Sequence, residues 1–546
     1  MSQAPALPFP QARFARAKKA RRAQKAEERP DAIVPARPER IPPALKLVLA
    51  GLAVVLFFFA QRLQAPQPWS YDEYYHLGLA REMQSHLRIE SFRWTPFSIT
   101  YDHFADGSPL YHLLLLPLAR LPLETAGLLG VLLGQIFLVG AFAWALWSLR
   151  VPRPWWFVLA LAGLGTLFAK RLEMLRPQVL LIGFSVLVLA LLLERRWKAL
   201  FVVCALFGLA HTGGWIAIPM AVLWSLSGLA VRGEGPDGRR APWQPVAAAA
   251  AGWLLGQLVH PEVPENFRQL VLSNLVIPFQ ATAAGDAALR SQLGTELAPP
   301  DFPVLLEQWP ALLAAALVAA ALLFQPRLRS RATLTAGLAA LAFVLAGSLV
   351  AFRFLELGAP LALLALALVF REAGFREASR ERREKGLPPL LPLLPPWGLG
   401  VALAAVVAGG LWTFAALRSY GFGHDPGPRG MAVWLGGHGA AGERVFTAQW
   451  ADSAPLFYFA PRLQSLVALD PTAFYVKDPR LFAAYVNVVS GQDPDPARTI
   501  RERFGARWVT IPPALFPRLL SRIAHSPGAQ ALYGDENYLV VDLGKR

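Results

Sequence analysis

Long apolar runs separated by short polar stretches occupy most of the chain between residues 44 and 417. A helix needs about 20 apolar residues to cross a hydrocarbon core of ~30 Å, and most of these runs approach or reach that length. We therefore predict a polytopic α-helical membrane protein with about eleven spans. The predicted spans are residues 44–60, 126–149, 155–169, 177–193, 199–212, 213–231, 244–260, 309–324, 332–351, 357–370 and 398–417.

The pattern changes after residue 430 to short apolar segments that alternate with amphipathic ones. This alternation is typical of an α/β domain with a mainly parallel sheet, so we predict a soluble C-terminal α/β domain at residues 418–546. No glycine-rich phosphate-binding loop opens any of its predicted helices, so no nucleotide site is assigned. The predicted strands are 444–448, 463–469, 507–511 and 538–543, and the predicted helices are 452–459, 479–489 and 513–524.

Composition supports the membrane assignment, because 55% of the 546 residues are hydrophobic. The net charge of +16 does not indicate nucleic-acid binding, since Lys and Arg lie in short clusters between apolar runs and in an N-terminal arm. Cys204 is the one cysteine, which excludes a disulfide framework and a thiolate metal site.

The basic clusters predict the orientation, because cytoplasmic loops collect Lys and Arg. Residues 1–43 are predicted to be a disordered basic cytoplasmic arm, and the run 109–121 an interfacial or re-entrant helix. Residues 44–417 then form the membrane domain, with outer loops at 61–125 and 261–308, and residues 418–546 are extracytoplasmic. The basic clusters placed in the cytoplasm are Arg150/Arg153, Arg195/Arg196/Lys198, Arg232/Arg239/Arg240, Arg327/Arg329/Arg331 and residues 371–385.

Two adjacent carboxylates, Asp72 and Glu73, lie among aromatic residues just after the first apolar run. A carboxylate in a protein-roofed pocket near a bilayer can accept a proton from a hydroxyl or bind a divalent ion. The alternative is a solvated acidic pair at a helix start, where acids complement the positive end of the helix.

A cationic cluster of Lys170, Arg171 and Arg176 falls on the outer side, where the positive-inside trend depletes such residues. Cations retained there suit an anionic ligand such as a lipid phosphate or pyrophosphate. The alternative is a rim of snorkelling cations at a helix end.

Four segments in this order carry a resemblance to a known family. They are Tyr71-Asp72-Glu73-Tyr74-Tyr75, Asp106-Gly107-Ser108-Pro109-Leu110-Tyr111, Leu175-Arg176-Pro177-Gln178 and Arg353-Phe354-Leu355-Glu356. Together they resemble the GT-C superfamily of polyprenyl-phosphate-sugar-dependent glycosyltransferases, over most of residues 44–417. The chain departs from that pattern at Tyr74 and at Ser108-Pro109, and it has no clear counterpart of the Trp-Trp-Asp motif of oligosaccharyltransferases, which disfavours transfer to an Asn side chain.

The resemblance implies an inverting hexosyl- or pentosyltransferase that moves a sugar from a polyprenyl-phosphate carrier to a lipid, glycan or protein acceptor. It implies Asp72 as the base, with Glu73 orienting it, and a possible divalent cation, Mg or Mn, on Asp72, Glu73 and Asp106. Asp106 can instead position sugar hydroxyls or form an Asx turn with Gly107. The expected substrate-binding residues are Tyr75, His76, His103, Asp106, Lys170, Arg171, Arg176, His211, Arg353 and Glu356, where Arg353 can alternatively form a structural salt bridge with Glu356.

Other functions share some of these features. A lipid-linked glycan ligase or polymerase would use the same donor on the same side, and a polytopic transporter or flippase would also carry buried charges. Transporters tend to show internal repeats, and we find none here. An inactive paralogue stays an alternative. The expected location is the inner membrane of a bacterium, at the cell envelope, and residues 285–303 are a long polar segment that could act as a lid.

Overall fold

The computed structural model describes residues 41–65, 67–231, 242–282, 287–292, 294, 297–373, 408–412, 415, 427–466 and 471–544. The chain divides into a unit of residues 1–46 and a compact unit of residues 47–546. The predicted arm at 1–43 lies almost entirely outside the described residues, and so does most of the last predicted span at 398–417. Most of the polar segment at 285–303 is described, except residues 285, 286, 293, 295 and 296.

Every other predicted apolar run contains a helix, because continuous apolar sequence satisfies its own backbone hydrogen bonds best in that form. The helices of residues 43–372 are α1 (Pro43–Gln64), α2 (Tyr71–Met83), α3 (Pro109–Leu115), α4 (Leu123–Ser148), α5 (Pro154–Ala160), α6 (Thr166–Glu173), α7 (Gln178–Leu193), α8 (Trp197–Ala210), α9 (Ala217–Ala230), α10 (Gln244–Leu258), α11 (Glu265–Val271), α12 (Ile277–Thr282), α13 (Ala287–Gln292), α14 (Phe302–Glu307), α15 (Trp309–Phe324), α16 (Arg331–Leu349) and α17 (Arg353–Glu372).

Among the described residues, five helical segments are long and apolar enough to cross a membrane, namely Pro43–Gln64, Leu123–Ser148, Thr212–Ala230, Arg331–Leu349 and Arg353–Glu372. A bent pair, Pro154–Gly163 with Thr166–Glu173, would make a sixth. The apolar helices α7, α8 and α15 are shorter. The expected total of about eleven spans therefore stays a prediction, while the apolar helices themselves are confirmed.

The bend between α5 and α6 breaks the predicted span 155–169 by 89°. Gly165 lies at the break with φ +123°, where a side chain would be strained, and a Cβ there would lie 3.1 Å from the carbonyl oxygen of Glu307. Because the chain turns here, α6 holds its polar residues beside the start of α7 and beside α17 instead of continuing as one straight span.

Helix α17 lies at the centre of the membrane part and packs against α16, α15, α6 and α7. Its span is 78% buried within the protein. A Cβ at Gly358 would lie 3.0 Å from the backbone nitrogen of Val344, so this glycine lets α17 approach α16 closely. The core thus holds the first turn of α17, with Arg353 and Glu356, in a fixed position.

The C-terminal part contains a five-stranded sheet in the order β2-β1-β3-β5-β4. Apolar residues alternate between its faces, with Val445 on one and Phe446 on the other, so each face carries its own core. The strands are β1 (Arg444–Thr447), β2 (Gln464–Ser465), β3 (Trp508–Ile511), β4 (Gln530–Gly534) and β5 (Leu539–Asp542), and the helices are α18 (Arg429–His438), α19 (Ser453–Phe459), α20 (Thr472–Lys477), α21 (Pro479–Val489), α22 (Pro496–Thr499) and α23 (Pro517–Ala524).

The prediction of a mainly parallel sheet is wrong for half of the strand pairs. Strands β2, β1 and β3 are parallel, whereas β5 pairs antiparallel with both β3 and β4. Strand β4 was not predicted, because its side chains are almost all exposed and lack the apolar alternation of a half-buried strand. The division into a separate domain at residue 418 stays a prediction, since residues 47–546 form one compact unit.

The sheet region packs directly on the first predicted outer loop. The Trp94 indole donates to the carbonyl oxygen of Pro461 at 2.6 Å, and the Ser465 N–H donates to the carbonyl oxygen of Trp94 at 2.7 Å. The Phe457 ring lies against Gly78, where an added Cβ would come within 2.9 Å of it. These contacts hold the outer loop, including α2 at Gly78, against the sheet region.

Candidate active site

Helix α2 begins after Ser70 and carries Asp72 and Glu73 in its first turn. Successive side chains on a helix point about 100° apart, whereas residues four apart lie on the same face. Asp72 and His76 therefore share one face, and Glu73 points elsewhere. The two neighbouring carboxylates have different surroundings for this reason alone.

Asp72 forms an ion pair with Arg176, which lies between α6 and α7. The two side chains are 15% and 20% exposed, so the pair can be reached from outside the protein. Asp72 is the predicted base and Arg176 a predicted phosphate ligand, and the structure brings the two side chains together. In such a pair the carboxylate can accept a proton and the guanidinium can stabilise an anion that forms in the reaction.

Glu73 is buried against Arg62, at the end of α1. The Arg62 Nη2 lies 2.8 Å from Oε2 of Glu73, the Trp69 N–H donates to Oε1 at 2.9 Å, and the two charged side chains are 0% and 1% exposed. Burial raises the pKa of Glu73, and the opposing effects of Arg62 and of backbone N–H groups do not offset it. Glu73 therefore joins α1 to α2 and does not reach the Asp72 pair, which corrects the expectation that it orients the base.

Asp106 and two histidines form a buried chain of hydrogen bonds. The Oδ2 of Asp106 lies 2.6 Å from Nδ1 of His112, and Nε2 of His112 lies 2.7 Å from Nδ1 of His76. The other carboxylate oxygen, Oδ1, accepts the N–H of Ser108 at 2.9 Å. The exposed fractions of Asp106, His112 and His76 are 5%, 1% and 7%. The predicted Asx turn at Asp106 is thus present, and the predicted substrate role of Asp106 stays a prediction.

The surroundings keep His76 uncharged. Burial, then the neighbouring His112, Arg176 and His211, hold the pKa of His76 well below its ordinary value of 6.5. Tyr75 packs beside both histidine rings of the chain, with centroid distances of 5.3 Å to His76 and 6.3 Å to His112. His76 is therefore a neutral base at physiological pH, close to the Asp72 and Arg176 pair.

A second buried ion pair joins α6 to α17. Arg171 donates to both oxygens of Glu356, at 2.7 Å from Nε and 2.6 Å from Nη2. The partner of Glu356 in the structure is therefore Arg171, and not Arg353 as the alternative interpretation of Arg353 suggested. The predicted role of Arg171 in phosphate binding stays a prediction.

His211 and Arg353 lie near each other at the same end of the helices. Arg353 and Arg171 are charged neighbours of the buried His211 side chain. The His211 Nδ1 accepts the N–H of Gly213 at 2.8 Å. Lys170 is half-buried in the last turn of α6. His103 lies at the surface, 50% exposed, 3.1 Å from Glu265, and stands apart from the other predicted residues.

The three carboxylates proposed as metal ligands do not form one donor set. Asp72 faces Arg176, Glu73 faces Arg62, and Asp106 faces His112. Among the residues that the structure describes, no group of three or more His, Cys, Asp or Glu side chains is arranged to hold a metal ion. Asp72, Glu73 and Asp106 therefore do not form a three-carboxylate site in the structure, and a bound divalent cation stays a prediction.

Arg62 and His112 are not among the residues predicted from the sequence. Arg62 ends the first span and looks like one more interfacial cation, while His112 lies inside the apolar run 109–121. A signal was present in both cases, because an ionisable residue within an apolar run is a functional or structural candidate by default. Its partner could be identified only from the fold.

No protein-family model matches the sequence, and no curated protein matches it significantly. The structure is similar to the archaeal oligosaccharyltransferase AglB from Archaeoglobus fulgidus, in complex with an inhibitory peptide and a dolichol-phosphate. The TM-score is 0.58 at 12% identity, over 92% of this chain and 74% of that one. It is also similar to ArnT from Cupriavidus metallidurans bound to undecaprenyl phosphate, with a TM-score of 0.52 at 16% identity, over 91% of this chain and 98% of that one.

The apo form of ArnT gives a TM-score of 0.53 at 17% identity, over 92% of this chain and 99% of that one. AglB and ArnT are both GT-C superfamily enzymes, so the resemblance read from four short segments is confirmed at the level of the fold. With its apolar helices and these similarities, the chain is an integral membrane protein with the GT-C fold.

Proposed function

We propose that the protein is a membrane glycosyltransferase that moves a sugar from a polyprenyl-phosphate carrier to a hydroxyl group of a lipid, glycan or protein acceptor. The observation that carries this proposal is the Asp72 and Arg176 ion pair, in which a carboxylate able to accept a proton lies beside a guanidinium able to bind a phosphate. The structures it resembles include complexes with a dolichol-phosphate and with undecaprenyl phosphate, which supports the same class of carrier.

In this mechanism Asp72 accepts the proton of the acceptor hydroxyl as the hydroxyl oxygen attacks C1 of the sugar. The bond from C1 to the phosphate oxygen breaks, its electron pair stays on the phosphate, and the anomeric configuration inverts. The phosphodiester monoanion thereby becomes a monoester dianion. Arg176 is the group that stabilises this added negative charge, because a guanidinium can donate two parallel hydrogen bonds to a phosphate.

The direct test is transfer by the purified protein. Radiolabelled polyprenyl-phosphate sugars are mixed with the protein and a lipid extract, and the labelled products are separated. Transfer of label to an acceptor supports the proposal. Substitutions of Asp72 and Glu73 then show which carboxylate the transfer requires. If the protein consumes none of the donors, a transport or structural function replaces the proposal.

Replacing Arg176 with alanine should weaken binding of a polyprenyl-phosphate sugar by about 10- to 150-fold, because a charge-assisted bond to phosphate contributes ~1.5–3 kcal/mol. Arg176→Lys should lose less, since it keeps the charge and loses the forked geometry. Arg268→Ala is the control, because that side chain is 48% exposed and lies 3.8 Å from Glu265. Unchanged binding by Arg176→Ala, measured by microscale thermophoresis in detergent, would remove Arg176 from the phosphate site.

We further propose that the site and the C-terminal sheet face the non-cytoplasmic side. Glu536 is exposed in the turn between β4 and β5, and the one native cysteine, Cys204, is buried, so Glu536→Cys supplies a single reactive thiol. A membrane-impermeant maleimide should label this variant on intact cells. Labelling that requires opened membranes would reverse the orientation and the face of the reaction with it.

A further inference from the structure

The Asp106, His112 and His76 chain has a direction that follows from its chemistry. A carboxylate only accepts hydrogen bonds, so His112 carries its proton on Nδ1, toward Asp106. The Nε2 of His112 is then an acceptor, and the Nδ1 of His76, 2.7 Å away, must donate to it. His76 therefore keeps its lone pair on Nε2, as a neutral imidazole backed by a buried carboxylate.

His76 lies one helical turn after Asp72, on the same face of α2. The groups that face it are His112 and Tyr111 from α3, Arg176 from the segment before α7, and His211 from the end of α8. The Tyr111 ring meets the imidazole edge to face, 5.2 Å between centroids. His76 and Asp72 thus share Arg176 as a neighbour, in the part of the molecule where the proposed reaction releases a proton.

We propose that His76 is a proton-relay residue, which takes from Asp72 the proton released by the acceptor hydroxyl, and that His112 and Asp106 are the positioning residues behind it. The inference rests on the proposed glycosyl transfer. After the sugar has moved, Asp72 holds the proton in its carboxyl group. The O–H bond of Asp72 breaks, a bond from that hydrogen to Nε2 of His76 forms, and the Asp72 carboxylate is restored.

The relay restores the negative charge of Asp72 opposite Arg176. A neutral Asp72 cannot pair with Arg176, whereas the restored carboxylate can. The positive charge that His76 gains is shared through His112 with the buried Asp106 carboxylate, in the same way that a buried aspartate stabilises an imidazolium in a catalytic triad. The proton leaves His76 for water when the products depart, and one proton is released for each sugar transferred.

The hydrogen-bond chain of Asp106, His112 and His76 can be tested in the resting protein through the tautomers of the two histidines. In Asp106→Asn the amide oxygen must still accept the Ser108 N–H, so the amide NH₂ faces His112 and donates where the carboxylate accepted. Both histidines then reverse tautomers, and Nε2 of His76 becomes protonated. In ¹⁵N-histidine spectra, with the nine histidines assigned by single substitutions, this nitrogen should shift from an unprotonated to a protonated position. A His76 Nε2 that is protonated in the parent protein would overturn the relay.

Turnover gives the second test. His76→Gln, His76→Ala and Asp106→Asn should each slow sugar transfer by ~10- to 100-fold, toward the lower end of what positioned proton transfer contributes. Donor binding should be unchanged, added imidazole should restore part of the rate of His76→Ala, and the variants should gain rate as pH rises because hydroxide replaces the missing acceptor. His86→Gln, an exposed histidine at the end of α2, is the matched control.

The outcomes separate the two proposals. If His76→Gln transfers sugar at the parent rate while Asp72→Asn does not, the relay is wrong and the glycosyltransferase proposal stands. If His76→Ala is slow, imidazole does not rescue it and its pH profile is unchanged, the hydrogen-bond chain of Asp106, His112 and His76 has only a structural role. If the parent consumes no donor, the glycosyltransferase proposal fails and the relay, which depends on it, fails as well, even where the tautomer spectra confirm the hydrogen-bond chain.

Discussion

Replacing Asp72 with asparagine is expected to lower sugar transfer by about 10²- to 10⁴-fold, the usual contribution of a positioned base. The substitution keeps the shape of the side chain and removes only its ability to accept a proton. Donor binding should stay the same or become slightly tighter, because Arg176 loses the carboxylate that it pairs with in the resting protein. Initial rates and donor affinity, measured separately, distinguish the loss of chemistry from the loss of binding.

The matched control is Asp102→Asn. Asp102 belongs to the same predicted outer loop, is 62% exposed and lies 3.5 Å from Lys477, away from the Asp72 pair. It should transfer sugar at the parent rate. Equal activity of Asp72→Asn and Asp102→Asn would show that Asp72 is not the base, and it would leave His76 as a neutral group able to take the proton.

The largest expected effect on stability comes from Arg62→Met. Arg62 and Glu73 are 0% and 1% exposed and 2.8 Å apart, and removing one partner of a buried ion pair leaves the other charge without compensation. Such changes cost ~3–5 kcal/mol in soluble proteins. Arg62 also donates to the carbonyl oxygens of Ala65 and Gln67, so the turn between α1 and α2 should loosen as well. The apparent melting temperature in detergent is the measurement.

The double variant Arg62→Met with Glu73→Gln separates charge from packing. It removes both charges, so it should melt above Arg62→Met alone. Glu73→Gln by itself should keep measurable sugar transfer at a temperature where it is folded, since Glu73 does not face the Asp72 pair. Two results would contradict this account: an Arg62→Met protein that melts like the parent, or a folded Glu73→Gln protein as inactive as Asp72→Asn.

Asp72 and Glu73 show how neighbours in sequence diverge. The motif indicated two acids of related function, one as base and one beside it. The helix turns by about 100° between them, so one reaches Arg176 at the partly exposed site and the other is buried against Arg62. The adjacent Asp-Glu pair in the sequence could not show which acid would be buried, because the sequence does not say what packs against each face of α2.

The apolar runs by themselves determined the helical membrane part. Each predicted run within the described residues contains a helix, and the run 309–324 has the same limits as α15. This follows because lipid leaves the backbone no other way to satisfy its hydrogen bonds over such a length. The order of short polar motifs was also sufficient to predict the GT-C fold, and the C-terminal helix 479–489 was predicted at its observed limits.

Only the tertiary structure decided which charges meet. Arg171 pairs with Glu356, 185 residues away in the sequence, and Arg176 pairs with Asp72. His112 links Asp106 to His76 by hydrogen bonds. It also decided that Asp72, Glu73 and Asp106 face three different partners, and that strand β4 adds an antiparallel edge to the sheet. The physical reason is the same in each case. The periodicity of apolar residues shows which face of a segment contacts lipid or core. The partner of a buried charge depends instead on which counter-charge the folded chain brings within hydrogen-bond distance.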